Sequence, residues 1–160
     1  MTAEAGIEVA PVERLGDATR ASDVIATCTT AHQPFLDIRD VCPGTFVAAV
    51  GADNPAKSEI GPTLMGAATV VVDVLKQAVL MGDLNHAIKA GTMVEEGVHA
   101  ELGSLVTGDK PGRRNAEEIT LFDSTGVGIQ DVAAAARAYE IAQVQPWRSS
   151  ASGGLGRPFH

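Results

Sequence analysis

Four short stretches are apolar at successive positions rather than at alternate ones: Val24-Ile25-Ala26-Thr27, Thr45-Phe46-Val47-Ala48-Ala49-Val50, Thr69-Val70-Val71-Val72 and Ile119-Thr120-Leu121-Phe122. Runs of this kind read as strands buried on both faces, the habit of parallel sheets, whereas a half-solvated antiparallel strand alternates. Ile7-Glu8-Val9 is a shorter extended piece that ends before Pro11. The stretches between them have helical spacing: a short helix over 12–21, a turn of helix over 62–66 and a longer helix over 74–90. The Ala-rich helix over 129–143 has the strongest pattern in the chain. Strands alternating with helices predict an α/β fold, a mostly parallel sheet covered on two sides. From Pro146 onward the run Ser149-Ser150-Ala151-Ser152-Gly153-Gly154 predicts a flexible end. No internal repeat is visible.

Composition narrows the picture. The 160 residues suit one domain with a real core, and aromatics are only 4% of them, so that core is built from Val, Ala, Leu and Ile. A net charge of −8 without a basic stripe argues against a nucleic-acid partner. No apolar run approaches the ~20 residues that span a membrane, and the acidic start Met1-Thr2-Ala3-Glu4 is unlike a signal peptide. Cys28 and Cys42 lack metal-ligand spacing and are expected to be buried thiols. Together these predict a cytoplasmic protein with no membrane contact.

In an open parallel sheet, ligands bind beyond the carboxyl ends of the strands. Here those ends deliver Cys28-Thr29-Thr30, Gly51-Ala52-Asp53-Asn54-Pro55-Ala56-Lys57 and Asp123-Ser124-Thr125-Gly126, small and polar residues at one edge. Each segment also has an ordinary structural reading. Asp53-Asn54-Pro55 is a turn sequence, Asp123 or Ser124 can cap the following helix, and Thr29 can satisfy a loop amide. Two glycine motifs fail. Gly126-Val127-Gly128 opens a helix after a strand, but Asp131 stands where a dinucleotide loop needs Gly or Ala. In Gly103 to Lys110 a P-loop is interrupted by Asp109 and followed by Pro111. His32, His86, His99 and His160 are not spaced as a metal set, and Glu95-Glu96 reads as a solvated face.

The ordered series of motifs nevertheless resembles one family. Ser22-Asp23-Val24-Ile25-Ala26-Thr27-Cys28-Thr29 resembles the fourth strand of a Rossmann domain. Pro43-Gly44-Thr45, Val50-Gly51-Ala52-Asp53 and Pro55-Ala56-Lys57-Ser58-Glu59 follow, then Val98-His99-Ala100-Glu101-Leu102-Gly103, Gly108 through Arg113 and Ile119 through Gly126. The set is similar to the ornithine cyclodeaminase/mu-crystallin family, over the span from about Ile7 to Ala142. The resemblance implies a Rossmann-like, doubly wound sheet, truncated at its N-terminal side. Residues 1–125 would be the latter part of an NAD(P)-binding domain, 126–145 a helix returning toward a catalytic and dimer domain, and 146–160 a flexible tail.

The resemblance further implies an NAD(H) or NADP(H) cofactor and a small amino or imino acid substrate. Asp53 matches the catalytic acid/base, preceded by a Gly-Ala approach that lets backbone come close to a flat ring. Thr29, Val50, Gly51, Ala52, Lys57 and Ser124 match cofactor contacts, and Thr125 matches a substrate contact. The implied reaction is ornithine cyclodeaminase-type conversion of ornithine to proline with ammonia release. Alanine dehydrogenase, cyclic imine reductase and a non-catalytic binding or dimerising remnant are the alternatives. The family's Gly-x-Gly loop has no counterpart before Ile7, so the chain by itself is expected to bind cofactor weakly and to be inactive. It is also expected to pair as a homo-oligomer or with a complementing N-terminal half.

Overall fold

The computed structural model describes Gly6 and residues 8–144, in two compact units, one ending at Gly126 and the other beginning at Val127. In the first unit the four apolar runs form strands β1 (Val24–Thr27), β2 (Phe46–Ala49), β3 (Thr69–Val72) and β5 (Thr120–Asp123). A fifth strand, β4 (Ala100–Glu101), has two residues, too few to show a period in the sequence. The sheet runs β1-β2-β5-β3-β4 with every neighbouring pair parallel, so the last strand lies at the centre. The expected α/β fold with a parallel sheet is the one observed.

Register explains how the strands share their two faces. Ile25, Val47, Leu121 and Val70 are aligned across the sheet, and Thr27, Ala49, Asp123 and Val72 form the next row on the same side. All of these are buried, and the apolar ones join one core with Leu64, Met65, Leu84 and Ala87. That core is supplied by helices α2 (Pro62–Ala67) and α4 (Gly82–Lys89), with Leu75 and Ala78 of α3 (Leu75–Ala78) packed against it, while α1 (Leu15–Thr19) precedes β1 in the chain. Each leucine taken fully out of water here stabilises the fold by about 1.5–3 kcal/mol.

The opposite face is covered less completely than the two-sided apolar runs predict. Val24 is 65% exposed and Ala26 is exposed, while Phe46, Ala48 and Phe122 are half-buried. Cover comes from helix α5 (Leu102–Val106) and the following loop. Leu102, Leu105 and Gly112 enclose with Phe46, Val71 and Phe122 an apolar cavity of about 230 Å³. Among the described residues β1 is the outermost strand on its side of the sheet.

Other expectations are adjusted. The helix expected over 74–90 is two helices, because Gly82 has φ of +82° and interrupts it. A Cβ at Gly82 would lie 2.8 Å from the Thr125 methyl, so tertiary closeness as well as backbone demands glycine there. The helix expected over 12–21 shrinks to α1. Glu8 and Val9 form no strand, and Ile7 lies outside the described residues. Cys28 and Cys42 are free thiols but not buried ones. Cys28 is exposed because it lies just past β1, and Cys42 is half-exposed.

The second unit contains helix α6, Gly128–Val144, a residue longer at each end than the Ala-rich pattern predicts. The tail expected from Pro146, with His160, lies outside the described residues. No helix among the described residues is long and apolar enough to cross a membrane.

Candidate functional site at the carboxyl edge of the sheet

The last rung of the β1–β2 ladder region is the bond from the Val50 N–H to the Thr27 carbonyl, 3.0 Å, after which the two chains part. Glu59 fills the gap between them. It is fully buried, and its carboxylate accepts the Thr27 hydroxyl (2.6 Å), the Thr29 N–H (2.5 Å) and the Gly51 N–H (3.0 Å). A Cβ at Gly51 would lie 2.3 Å from that carboxylate. The space that a side chain at Gly51 would need is filled by the Glu59 carboxylate.

Further carboxylates continue the pattern along the edge. Asp83, at the start of α4, accepts the Ser58 hydroxyl and the backbone N–H groups of Glu59 and Ile60 at 2.8–3.1 Å. Asp123, at the end of β5, accepts the Leu84 N–H at 2.9 Å and so caps α4, not the helix that follows it in sequence. Asp73, after β3, accepts from the N–H groups of Thr125 and Gly126 and from the hydroxyls of Ser124 and Thr125. Among the described residues, no Lys or Arg forms an ion pair with Glu59, Asp83 or Asp123.

Burial without a cation disfavours the charged form. Desolvation pushes the Asp123 carboxyl up to about 7, with the charges of Asp83 and Asp73 adding to it and the Leu84 N–H opposing. Burial raises Asp83 as well, against the bonds from Ile60, Glu59 and Ser58. One oxygen of each, Asp83 Oδ2 and Asp123 Oδ1, is buried with no hydrogen-bond partner.

The residues expected to be functional fall on this scaffold in three groups. Thr29 and Gly51 share Glu59, and the Thr29 hydroxyl accepts the Ala31 N–H at 3.1 Å, the loop-amide role its position allows. Asp53 is exposed and paired with Lys57, Nζ to Oδ1 2.8 Å, and this bond is the main cause that holds its carboxyl below the usual range. The turn is closed by Asn54, whose Oδ1 accepts the Ala56 N–H, while Asp53 Oδ1 accepts the Asn54 Nδ2 at 3.1 Å and its exposed carboxylate still faces solvent. Ser124 and Thr125 share Asp73. Thr125 is buried and also accepts from Gln77 Nε2 at 2.9 Å, so its hydroxyl is already engaged within the protein.

Val50 is 41% exposed between Thr29 and Asp53, while Ala52 is buried. The 53–58 loop is held from both sides. Ser58 N–H donates to the Ala31 carbonyl at 3.0 Å, and a His86 ring nitrogen lies 2.9 Å from the Lys57 carbonyl. The other described histidines contact backbone carbonyls too, His32 that of Ala56 and His99 that of Pro111. A small-residue ledge with one exposed aliphatic, an anionic carboxylate and a lysine fits the nicotinamide half of a dinucleotide. The buried carboxylates do not suit its phosphates.

Glu59, Asp73 and Asp83 are not singled out by sequence reasoning. The available signal is weak: an acid set directly in apolar surroundings, as in Glu59-Ile60 and Asp83-Leu84.

Known proteins share this fold. The chain is 43% identical over 133 residues to the alanine dehydrogenase of Archaeoglobus fulgidus, covering 83% of this chain and 41% of that protein. It is 41% identical over 143 residues to the iminosuccinate reductase of Paracoccus denitrificans, covering 88% and 43%. The structure of that reductase with NAD+ superposes with a TM-score of 0.82, over 89% of this chain and 44% of that one. The Thermococcus litoralis Δ1-pyrroline-2-carboxylate reductase, solved with NADH and L-proline, gives a TM-score of 0.83 at 34% identity, over 89% and 45%. The chain thus spans less than half the length of these relatives. The profile of the ornithine cyclodeaminase/mu-crystallin family matches residues 1–145. With its motifs in order and its parallel sheet superposed on these enzymes, the chain belongs to the ornithine cyclodeaminase/mu-crystallin family.

Proposed function

We propose that this chain forms the nicotinamide-side half of an NAD(P)-dependent enzyme acting on a small amino or imino acid. The observation that carries the reading is Asp53: an exposed, anionic carboxylate just past β2, paired with Lys57 and close in the chain to exposed Val50. When bound, the nicotinamide supplies hydride exchange with the amino or imino carbon. Thr29, Val50, Gly51 and Ala52 form the ledge that orients the ring, and Lys57 and Ser124 add polar contacts to the cofactor. Asp53 Oδ1 and Oδ2 take a proton from the substrate amine, or from water adding to the imine, and return it in the reverse direction. Thr125, its hydroxyl held by Asp73 and Gln77, limits the substrate side. The exposed, anionic Asp53 favours a cationic ammonium or iminium group over an anion.

The Asp53–Lys57 pair gives this reading a regulatory edge. A lysine drawn to the cofactor leaves Asp53 a stronger base, so binding and proton transfer are coupled. Amino-acid dehydrogenation or imine reduction is the first reading, supported by the relatives at 41–43% identity. Cyclodeamination of ornithine to proline is the second. It is favoured by the likeness to a lysine cyclodeaminase structure that recognises L-lysine and L-ornithine, at 26% identity and a TM-score of 0.74.

The test follows reduced-nicotinamide absorbance with L-alanine, iminosuccinate, Δ1-pyrroline-2-carboxylate and L-ornithine in turn. Proline formed from L-ornithine with no net change in NAD+ selects the second reading, and net reduction of an imine selects the first. In whichever assay shows turnover, Asp53→Asn is expected to lower it by about 10²-fold or more while cofactor affinity holds. Near-normal turnover in that variant removes Asp53 from the chemistry.

A further inference from the structure

We propose that Glu59 is a positioning residue: its carboxylate joins the Thr29 loop to the Gly51 loop, making them one ledge. The inference rests on the reading of that ledge as the nicotinamide side. Beyond the bond from Val50 to Thr27, the next backbone bond between the segments that follow β1 and β2 is that from Ser58 to Ala31, and the site residues Thr29 and Gly51 lie in the gap between the two. The two oxygens of Glu59 supply the acceptors that the diverging chains lack. Oε2 takes the Thr27 hydroxyl and the Gly51 N–H, and Oε1 takes the Thr29 N–H.

Three donors from two segments converge on one group, and only an acceptor at both oxygens satisfies them all. Glutamine presents an NH₂ at one oxygen position, so either Thr29 or the Gly51–Thr27 pair faces a donor instead of an acceptor. Glu59 is fully buried and out of reach of a substrate, which separates it from exposed Asp53. Its own root is fixed, because its backbone N–H donates to Asp83 at 2.8 Å. The close fit of Gly51 completes the joint: a methyl there would collide with the carboxylate and push it from Thr29.

The experiment compares the wild-type chain with Glu59→Gln, Gly51→Ala and the core variant Leu64→Val, by backbone amide hydrogen exchange and NADH titration. Leu64→Val matches a general loss of stability without touching the ledge. Glu59→Gln is expected to speed exchange of the Thr29 amide by about tenfold or more, the scale of one lost hydrogen bond, and to weaken NADH by a similar factor. Leu64→Val changes neither beyond its effect on global unfolding. Gly51→Ala carries the same test should Glu59→Gln fail to fold, since it must speed exchange at Thr29 although the substitution lies on the other loop.

Thr29 exchange in both variants equal to that in Leu64→Val overturns the joint. Accelerated exchange with unchanged NADH affinity overturns its positioning role. NADH at millimolar concentration that protects amides elsewhere and leaves those of Thr29, Val50 and Gly51 unchanged, with Thr29 still released in both variants, refutes the reading of the ledge as a nicotinamide site and leaves the joint standing.

Discussion

The two ends of the sheet are tied together by opposite chemistry. At the amino end, arginines do the work at the surface. Arg113 donates to the Gly44 carbonyl and the Thr120 hydroxyl, and Arg114 pairs with Glu118, which also accepts the Thr69 hydroxyl. The backbone N–H of Arg114, with Thr69 and the Arg114 guanidinium, holds the Glu118 carboxyl down at about 2. At the carboxyl end Glu59, Asp83 and Asp123 are buried, no cation joins them among the described residues, and their donors are backbone amides and hydroxyls. Water supports the first arrangement, whereas the second must satisfy each acceptor from within the fold. The carboxyl end therefore fixes loop geometry tightly and holds its charge at a cost, a condition suited to a site and unnecessary for a surface.

The largest test of this contrast is Asp83→Leu. It leaves the Ser58 hydroxyl and the Glu59 and Ile60 amides buried without an acceptor, at roughly 5 kcal/mol in total. A urea titration followed by circular dichroism is expected to show a chain that is largely unfolded before denaturant is added. A midpoint near that of the wild type shows that these donors find other partners and that the contrast is overstated.

The second test is pH. Unfolded, Asp123 ionises near 3.8; folded, near 7. Between those values the unfolded chain has lost a proton that the folded chain keeps, so this group's contribution to stability falls as pH rises across that window. It is flat on either side, and the whole change is on the order of 4 kcal/mol. Asp83, also raised by burial, acts with the same sign, while Glu118 and Asp37, both lowered, act oppositely at more acidic pH. Asp123→Asn keeps an acceptor for the Leu84 amide and is expected to flatten the slope above pH 5. An unchanged slope assigns it to Asp83.

The smallest effect belongs to the amino end. Arg114→Ala removes a solvent-exposed cation and is expected to shift the urea midpoint little, less still at high salt. A loss comparable to that of Asp83→Leu erases the distinction between the two ends.

Much of the fold is legible in the chain. Successive apolar positions mark β1, β2, β3 and β5, since a strand covered on two sides has no polar face to alternate with. The edge where Thr29, Asp53 and Ser124 gather follows from strand direction alone. The break at Gly82 is less visible, because an isolated glycine within helical spacing is often tolerated. Its reason, the Thr125 methyl 2.8 Å from where a Cβ would sit, comes from a residue far along the chain. The partial cover of the second sheet face is equally silent in the pattern, which reports how apolar a residue is and not what packs on it.

By itself the sequence determined the parallel sheet, the family and the candidate acid Asp53, because each rests on local periodicity or on motifs in fixed order. Only the tertiary structure decided what Glu59, Asp73, Asp83 and Asp123 do. A buried carboxylate and a solvated one are the same letter in a sequence. Which of them accepts an amide 24 or 39 positions away, as Asp83 and Asp123 do, depends on how distant strands and helices are brought together. Surroundings then set the electrostatic consequence: burial without a cation raises Asp123, while the Arg114 N–H, the Thr69 hydroxyl and the Arg114 guanidinium lower Glu118, whose side chain is only 7% exposed.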